Sequence, residues 1–211
     1  MNNPNYIVVH HSVSPRDASI EGTEASINNS HEERFRDPET GVNNYRSSLG
    51  WYIGYHYIIY STGEIRKYRM DNEVGVHCKE KGKNFDSIGI CLIGDFSKGP
   101  KRLDEYPSEA QFLSLTKLCK KFQNIYNIPD ANIRPHRYYA LGPSGKPYKD
   151  CWGNKLPDDP VKLFVEPVPL KRRATQLTAK RALKDKEFAK FQLSRKRKKL
   201  NPKPHDESKA S

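Results

Sequence analysis

His136 and Cys151 stand on either side of a loop, within Arg134-Pro135-His136 and Tyr148-Lys149-Asp150-Cys151-Trp152-Gly153. Imidazole and thiolate are borderline-to-soft metal ligands, and a lysine lies two residues before the cysteine. Two such ligands cannot close a tetrahedral zinc site. A third is offered by Tyr6-Ile7-Val8-Val9-His10-His11-Ser12, where an apolar, strand-like run ends abruptly in histidine. Three protein ligands with a fourth position open is the arrangement of a catalytic zinc rather than a structural one. Taken alone, His10 and His11 read better as ordinary histidines at a strand end than as ligands.

These side chains need a scaffold, and the chain spells one. Residues 6–9 read as a buried strand that delivers His10 to its end. Residues 16–50 are polar and turn-rich, with a helix expected over 25–36 and His31 packing or hydrogen-bonding within it. Gly54-Tyr55-His56-Tyr57-Ile58-Ile59-Tyr60, then Ser61-Thr62-Gly63, then Glu64-Ile65-Arg66-Lys67-Tyr68 is a hairpin signal. Residues 87–94 are apolar on both faces, as a covered central strand is, and Cys91 within them reads as a core residue. Ser108 and Gln111 fit a capping box. The apolar series Phe112, Leu115, Leu118, Cys119, Phe122, Ile125, Tyr126 then has a helical period that ends before Pro129. A last short helix is expected over 158–165. If strands alternate, His11 and His56 point away from His10 and Tyr55 and serve as supporting or core groups.

The bulk composition divides the chain in two. Hydrophobic residues make up 35% and charged residues 29%, so part of the sequence is expected to lie outside a core. Residues 1–160 carry 21 Lys and Arg against 20 Asp and Glu, whereas residues 161–211 carry 16 against 5, so the net charge of +12 belongs to the tail. A folded domain over 1–166 and a basic tail over 167–211 follow, the tail being disordered or helical on an anionic surface. No basic segment followed by an apolar one opens the chain, and no apolar run approaches the roughly 20 residues that span a bilayer. A cytosolic start is expected. Cysteines at 78, 91, 119 and 151 lack Cys-x-x-Cys spacing, which fits buried thiols plus one special cysteine rather than disulfides.

In order along the chain, Val9-His10-His11-Ser12, Gly54-Tyr55-His56-Tyr57-Ile58-Ile59, Gly75-Val76-His77, Asn84-Phe85-Asp86-Ser87-Ile88-Gly89-Ile90 and His136…Lys149-Asp150-Cys151 resemble one family. It is the type 2 N-acetylmuramoyl-L-alanine amidases, which include phage lysozyme-type endolysins and peptidoglycan recognition proteins. The resemblance covers residues 6–165 and none of the tail. It implies an α/β fold with a central mixed β-sheet, helices on its faces and a zinc cleft on one side. It implies Zn2+ held by His10, His136 and Cys151, catalytic positions at Tyr55 and Lys149, and a substrate groove lined by His77 with Asn84 beside it. Two departures stand out. His136 and Cys151 are 15 residues apart, so 139–147 reads as an insertion, and Trp152-Gly153 follows the cysteine where Pro-Gly is usual.

The resemblance implies hydrolysis of the amide between N-acetylmuramic acid and L-alanine in peptidoglycan. Zinc suits that reaction because it lowers the pKa of water to about 7 and polarises a carbonyl. Lys149 is suited to oppose the oxyanion, and Tyr55 to donate a hydrogen bond to it or to orient water. Without the resemblance, Tyr55 would read as a cross-strand aromatic; for Lys149 the alternative, a solvated loop lysine, is weaker than the catalytic role. A monomeric phage endolysin, held in the host cytoplasm until release onto the cell wall, is the biological reading. The tail would meet anionic envelope polymers or a membrane surface in preference to nucleic acid. The rivals are a peptidoglycan-binding module without catalysis and a nucleic-acid-binding protein with a basic arm. The first of these loses metal ligands, and the second leaves the His…His…Cys set unexplained.

Overall fold

A computed structural model describes residues 1–99, 103 and 105–165; the expectations for the basic tail lie outside the described residues. The elements in order are β1 (Tyr6–His11), α1 (Ile20–Arg34), β2 (Tyr57–Ile59), β3 (Ile65–Lys67), β4 (Ser87–Leu92), α2 (Glu109–Tyr126), β5 (Ile133–Pro135) and α3 (Lys162–Val165). The described strands form one mixed sheet in the order β3-β2-β4-β1-β5. β4 pairs in parallel with both β1 and β2, β5 joins β1 in parallel, and β3 closes the hairpin with β2 antiparallel. The expected central mixed sheet flanked by helices is the fold observed.

Parallel strands covered on both faces read as continuous apolar runs. β4 is buried at every residue, and Cys91 with it. On one face α2 lays down Leu115, Leu118, Cys119 and Phe122, with the Phe122 ring 5.3 Å from that of Tyr57. Its capping box forms as expected: Ser108 Oγ accepts from the Gln111 backbone, and Gln111 Oε1 accepts from the Ser108 backbone. The amide nitrogen of Gln111 donates onward to the carbonyls of Ile59 and Ile93, so the residue that starts the helix also ties off β2 and β4. On the other face Ile20 and Ile27 of α1, with Trp51 and Tyr55, pack on Ile53, Ile58, Tyr60, Tyr68 and Cys91.

Two helices differ from expectation. α1 begins at Ile20 rather than 25 and ends at Arg34 rather than 36, capped by Ser19, whose hydroxyl accepts from the Gly22 backbone. Its buried residues are Thr23, Glu24 and His31, so no apolar period marks it. Glu24 is held by Tyr68 OH and, at 2.9 Å, by Arg66. α3 covers only Lys162–Val165, because Asp159 and Pro160 form a turn in which Asp159 Oδ1 accepts from the Val161 backbone.

His56 is fully buried and acts as a bridge within the sheet. Its Nδ1 accepts from the Gly89 N–H at 3.0 Å, and Nε2 donates to the Glu73 carbonyl at 2.9 Å. β2 begins only at Tyr57, so strict alternation does not reach back to Tyr55 and His56, and both rings neighbour His77. Burial lowers the His56 pKa to about 4, and it does the same to His31, whose Nδ1 accepts from the Gly54 N–H. Below pH 6.5 the unfolded chain therefore takes up protons that the folded chain refuses. Stability is full above that pH and is lost as pH falls towards 4, by up to about 3 kcal/mol for His56. Urea midpoints at pH 7 and pH 4.5 should show this fall, with a smaller fall in His56→Gln. An unchanged midpoint would rule out a neutral buried imidazole.

Candidate functional site

Val9 of β1 lies opposite Pro135 of β5, so the next residue of each strand, His10 and His136, emerges at neighbouring carboxyl ends. Their ring centroids are 4.8 Å apart. Such strand ends are where open α/β sheets hold ligands. Pro135 has no N–H with which to continue the ladder, and the chain turns at once into a 3-10 turn, His136–Tyr138.

His10 sits among aromatic rings: Tyr55 at 5.0 Å and His77 at 5.1 Å between centroids. His10 Nε2 and His77 Nδ1 share a hydrogen bond of 3.1 Å. Room for His77 comes from two glycines. A Cβ at Gly89 would meet its Cδ2 at 2.4 Å, and one at Gly75 would meet the same atom at 2.5 Å. Asn84 stands beneath, its Oδ1 accepting from the backbone N–H groups of both His77 (2.9 Å) and Cys78 (2.7 Å). Burial, reinforced by the neighbouring imidazoles, depresses the pKa values of His10 and His77 far below the ordinary value. Burial lowers His136 as well, against an opposing pull from Glu80. All three rings are neutral near pH 7, the form in which imidazole binds a metal.

His136 Nε2 lies 2.8 Å from Glu80 Oε2. Glu80 Oε1 receives Lys149 Nζ at 2.8 Å and Tyr148 OH at 2.5 Å. Burial would raise the Glu80 carboxyl, but hydrogen bonds from Lys149, Tyr148 and His136 outweigh it and hold the group ionised. An ionised carboxylate only accepts, so Nε2 of His136 carries the hydrogen and Nδ1 keeps its lone pair. Nδ1 is buried and has no hydrogen-bond partner, an expensive condition for a polar atom unless something binds it.

Cys151 reaches the site by way of His11. The His11 backbone N–H donates to the Cys151 carbonyl at 2.9 Å, and His11 Nε2 donates to the Asp150 carbonyl at 2.7 Å. His11 Nδ1 accepts in turn from the Phe96 N–H. The long gap between His136 and Cys151 closes on itself. Leu141 bridges to Pro147, and Tyr148 N–H bonds the Ala140 carbonyl at 2.9 Å, so the extra residues form a small hairpin that returns the chain to its start. Trp152 is fully buried, its indole N–H on the Pro157 carbonyl. Burial pushes the half-buried Cys151 thiol up in pKa, and the Lys149 ammonium pulls it back in part.

The structure thus gathers His10, His136, His77 and Tyr55 ring against ring, joins Lys149 to them through Glu80, and ties Cys151 to β1 through His11. Asn84 fixes backbone beneath the rings. Among the described residues, one group of three has ligand atoms all within 4.8 Å of one another: Cys78, Glu80 and His136. The three cysteines at 78, 91 and 119 are buried free thiols, and burial drives Cys78 up to about 12. In donor chemistry the neutral imidazoles, the partnerless Nδ1 and the thiol beside Lys149 fit a divalent metal. Glu80 was not legible as a site residue. It lies in Cys78-Lys79-Glu80-Lys81-Gly82-Lys83, where one acid among lysines looks like a solvated loop.

A mixed, largely parallel sheet with metal-competent side chains at the carboxyl ends of its strands defines an α/β protein with a candidate metal centre. The chain belongs to the N-acetylmuramoyl-L-alanine amidase family, whose model matches residues 1–154. It is 36% identical over 103 residues to the endolysin of Escherichia phage T7, which covers 47% of this chain and 63% of that protein. The chain spans 48% to 63% of the length of the curated relatives it matches. Among solved structures, the N-acetylmuramoyl-L-alanine amidase LysC from Clostridium intestinale URNW superposes with a TM-score of 0.54 at 29% identity, covering 78% of this chain and 88% of that one. Drosophila PGRP-LB shares the fold, with a TM-score of 0.53 at 21% identity over 79% of this chain and 83% of that one. No described helix is long and apolar enough to cross a membrane.

The glycine slot makes a direct prediction. Gly89→Ala should cost about 1–3 kcal/mol through overpacking against His77. Gly142→Ala, whose nearest neighbour would be 3.6 Å away, should leave the urea midpoint nearly unchanged. Equal midpoints for the two variants would contradict the close approach.

Proposed function

We propose that this protein is a zinc-dependent peptidoglycan amidase that cuts between the lactyl group of N-acetylmuramic acid and the L-alanine of the stem peptide. The observation that carries the reading is the pairing of two neutral histidines at adjacent strand ends, one with a buried lone pair that nothing else uses. His10, His136 and Cys151 would hold the metal. A zinc ion so held would supply Lewis acidity, polarising the scissile carbonyl and acidifying water.

The chain's own groups account for the rest. Lys149 keeps its proton, because hydrogen bonding to Glu80 outweighs the opposing effect of burial, and so presents a fixed cation to the negative charge that develops on the carbonyl oxygen. Burial raises the Tyr55 pKa well above the ordinary value, so its hydroxyl donates a hydrogen bond rather than acting as a phenolate. His77, backed by Asn84, orients His10 and would form the floor of the substrate groove.

The family and the likeness to endolysins favour a role in phage release, with the enzyme kept in the host cytoplasm until it reaches the wall, and acting as a monomer. The residues from 167 onward are assigned to a basic tail that meets anionic envelope polymers. A recognition module that binds peptidoglycan without cutting it is the second reading.

One zinc per chain is expected in the natural protein, with free L-alanine amino groups released from purified peptidoglycan. Cys151→Ser should lose the release and hold zinc at least tenfold more weakly. Zinc without release would shift the reading to a recognition module, and absence of zinc would sink the site. Removing residues 167–211 should leave cleavage of small, soluble muropeptides within about twofold. A loss of that cleavage would tell against the tail as a targeting element.

A further inference from the structure

Glu80 is the acidic group that touches both halves of the site. It opens a short turn between β3 and β4, and its side chain is only 9% exposed although its loop is studded with lysines. Each oxygen has its own work. Oε2 faces His136 Nε2, and Oε1 faces both Lys149 Nζ and Tyr148 OH. A carboxylate that accepts the N–H of one imidazole nitrogen fixes the tautomer and the ring plane, and so aims the other nitrogen. The other nitrogen here is Nδ1 of His136, buried and without a partner.

We infer that Glu80 is a positioning residue for this site: it sets the Nε2–H tautomer of His136, aims Nδ1 at the metal, and tethers Lys149 alongside. The inference rests on the metal-dependent reading above. It also gives the Cys78–Glu80–His136 group a different meaning from that of a ligand set. A metal bound between Glu80 and His136 would have to strip the hydrogen from Nε2 and compete with Lys149 for the carboxylate. Aimed from Nδ1, a metal requires neither change. The loop geometry supports the assignment, since Asn84 pins the backbone at His77 and Cys78 only two residues before Glu80.

The same carboxylate explains how Lys149 can be a partly exposed side chain and still be fixed. Its side chain is 36% exposed, and a free lysine there would sample many rotamers. Held on Glu80 Oε1, it stays within two hydrogen bonds of His136. Tyr148, exposed on the hairpin that carries the chain from His136 to Cys151, adds a second anchor to the same oxygen.

The test uses the full chain, natural and with Glu80→Ala, Glu80→Gln and Glu80→Asp. Zinc dissociation constants from chelator competition should rise ten- to a hundredfold in Glu80→Ala. Glu80→Asp should recover part of the loss, and Glu80→Gln stands in if the alanine variant fails to fold. Imidazole nitrogen shifts of the zinc-free natural protein should report hydrogen on Nε2 of His136, and the preference should vanish in Glu80→Ala. Zinc affinity within twofold of the natural protein in both Glu80→Ala and Glu80→Gln, or hydrogen on Nδ1 in the natural protein, would overturn the inference. With cobalt(II) in place of zinc, the thiolate charge-transfer band should vanish in Cys151→Ser and survive in Cys78→Ser; the reverse would make Glu80 a ligand and end its positioning role. A natural protein that takes up no zinc would fail the proposed function itself, and the metal-free tautomer readout would then decide the Glu80–His136 contact alone.

Discussion

The parallel pairing of β1 with β5 is the constraint on which the site depends. Only a parallel register with Val9 opposite Pro135 lets two residues far apart in sequence leave the sheet side by side and in the same direction. A one-residue slip would put His11 or Arg137 where His10 and His136 now meet. Both of those residues have other work. His11 ties β1 to the segment at 150–151, and Arg137 bonds the carbonyls of Gly153 and Leu156. Register, ligand loop and closing segment therefore enforce one another, since moving any one would unseat hydrogen bonds in the other two.

The hairpin over 139–147 shows how the same arrangement tolerates extra residues. An insertion between two site residues would normally spread them apart, but here its ends are joined by the Tyr148–Ala140 hydrogen bond and the Leu141–Pro147 bridge. Loop closure of this length costs little more than that of a shorter loop, because the entropy grows only logarithmically. The separation of 15 residues that the sequence displays is thus a poor guide to the distance across the cleft.

How much of this was legible follows from which residues carry a period or a cap. β1, β4 and the hairpin are apolar runs bounded by turn residues, and α2 has both a capping box and a regular stripe, so their placement could be read directly. α1 could not be read in that way: its buried positions are threonine, glutamate and histidine, and although Thr23 bonds the nearby Ser19 carbonyl, Glu24 and His31 are satisfied by Tyr68, Arg66 and the Gly54 backbone, far off in sequence. The glycines at 75 and 89 were visible as parts of motifs, but their reason, a slot for the His77 ring, is a contact between distant segments. Glu80 is the extreme case. Its importance comes from three partners at 136, 148 and 149, and nothing local distinguishes it from its lysine-rich surroundings.

Burial ties stability to chemistry in this fold. The imidazoles of His10, His77 and His136 are all pushed towards the neutral form by loss of water, and the Cys151 thiol is pushed towards its protonated form by the same cause. For the histidines this is preparation, because neutral imidazole is the ligating form. For the cysteine it is opposition, because the thiolate is the ligating form. Lys149 is the nearby charge that works against the opposition, lowering the thiol's pKa in part. Glu80 bonds that lysine while accepting from His136, so one carboxylate restrains the cation and the imidazole together. Removal of the lysine would raise the thiol further. The charge pattern around the thiol is therefore a balance: Glu80 and the adjacent Asp150 push its pKa up with burial, and Lys149, helped by Arg34, pulls it down.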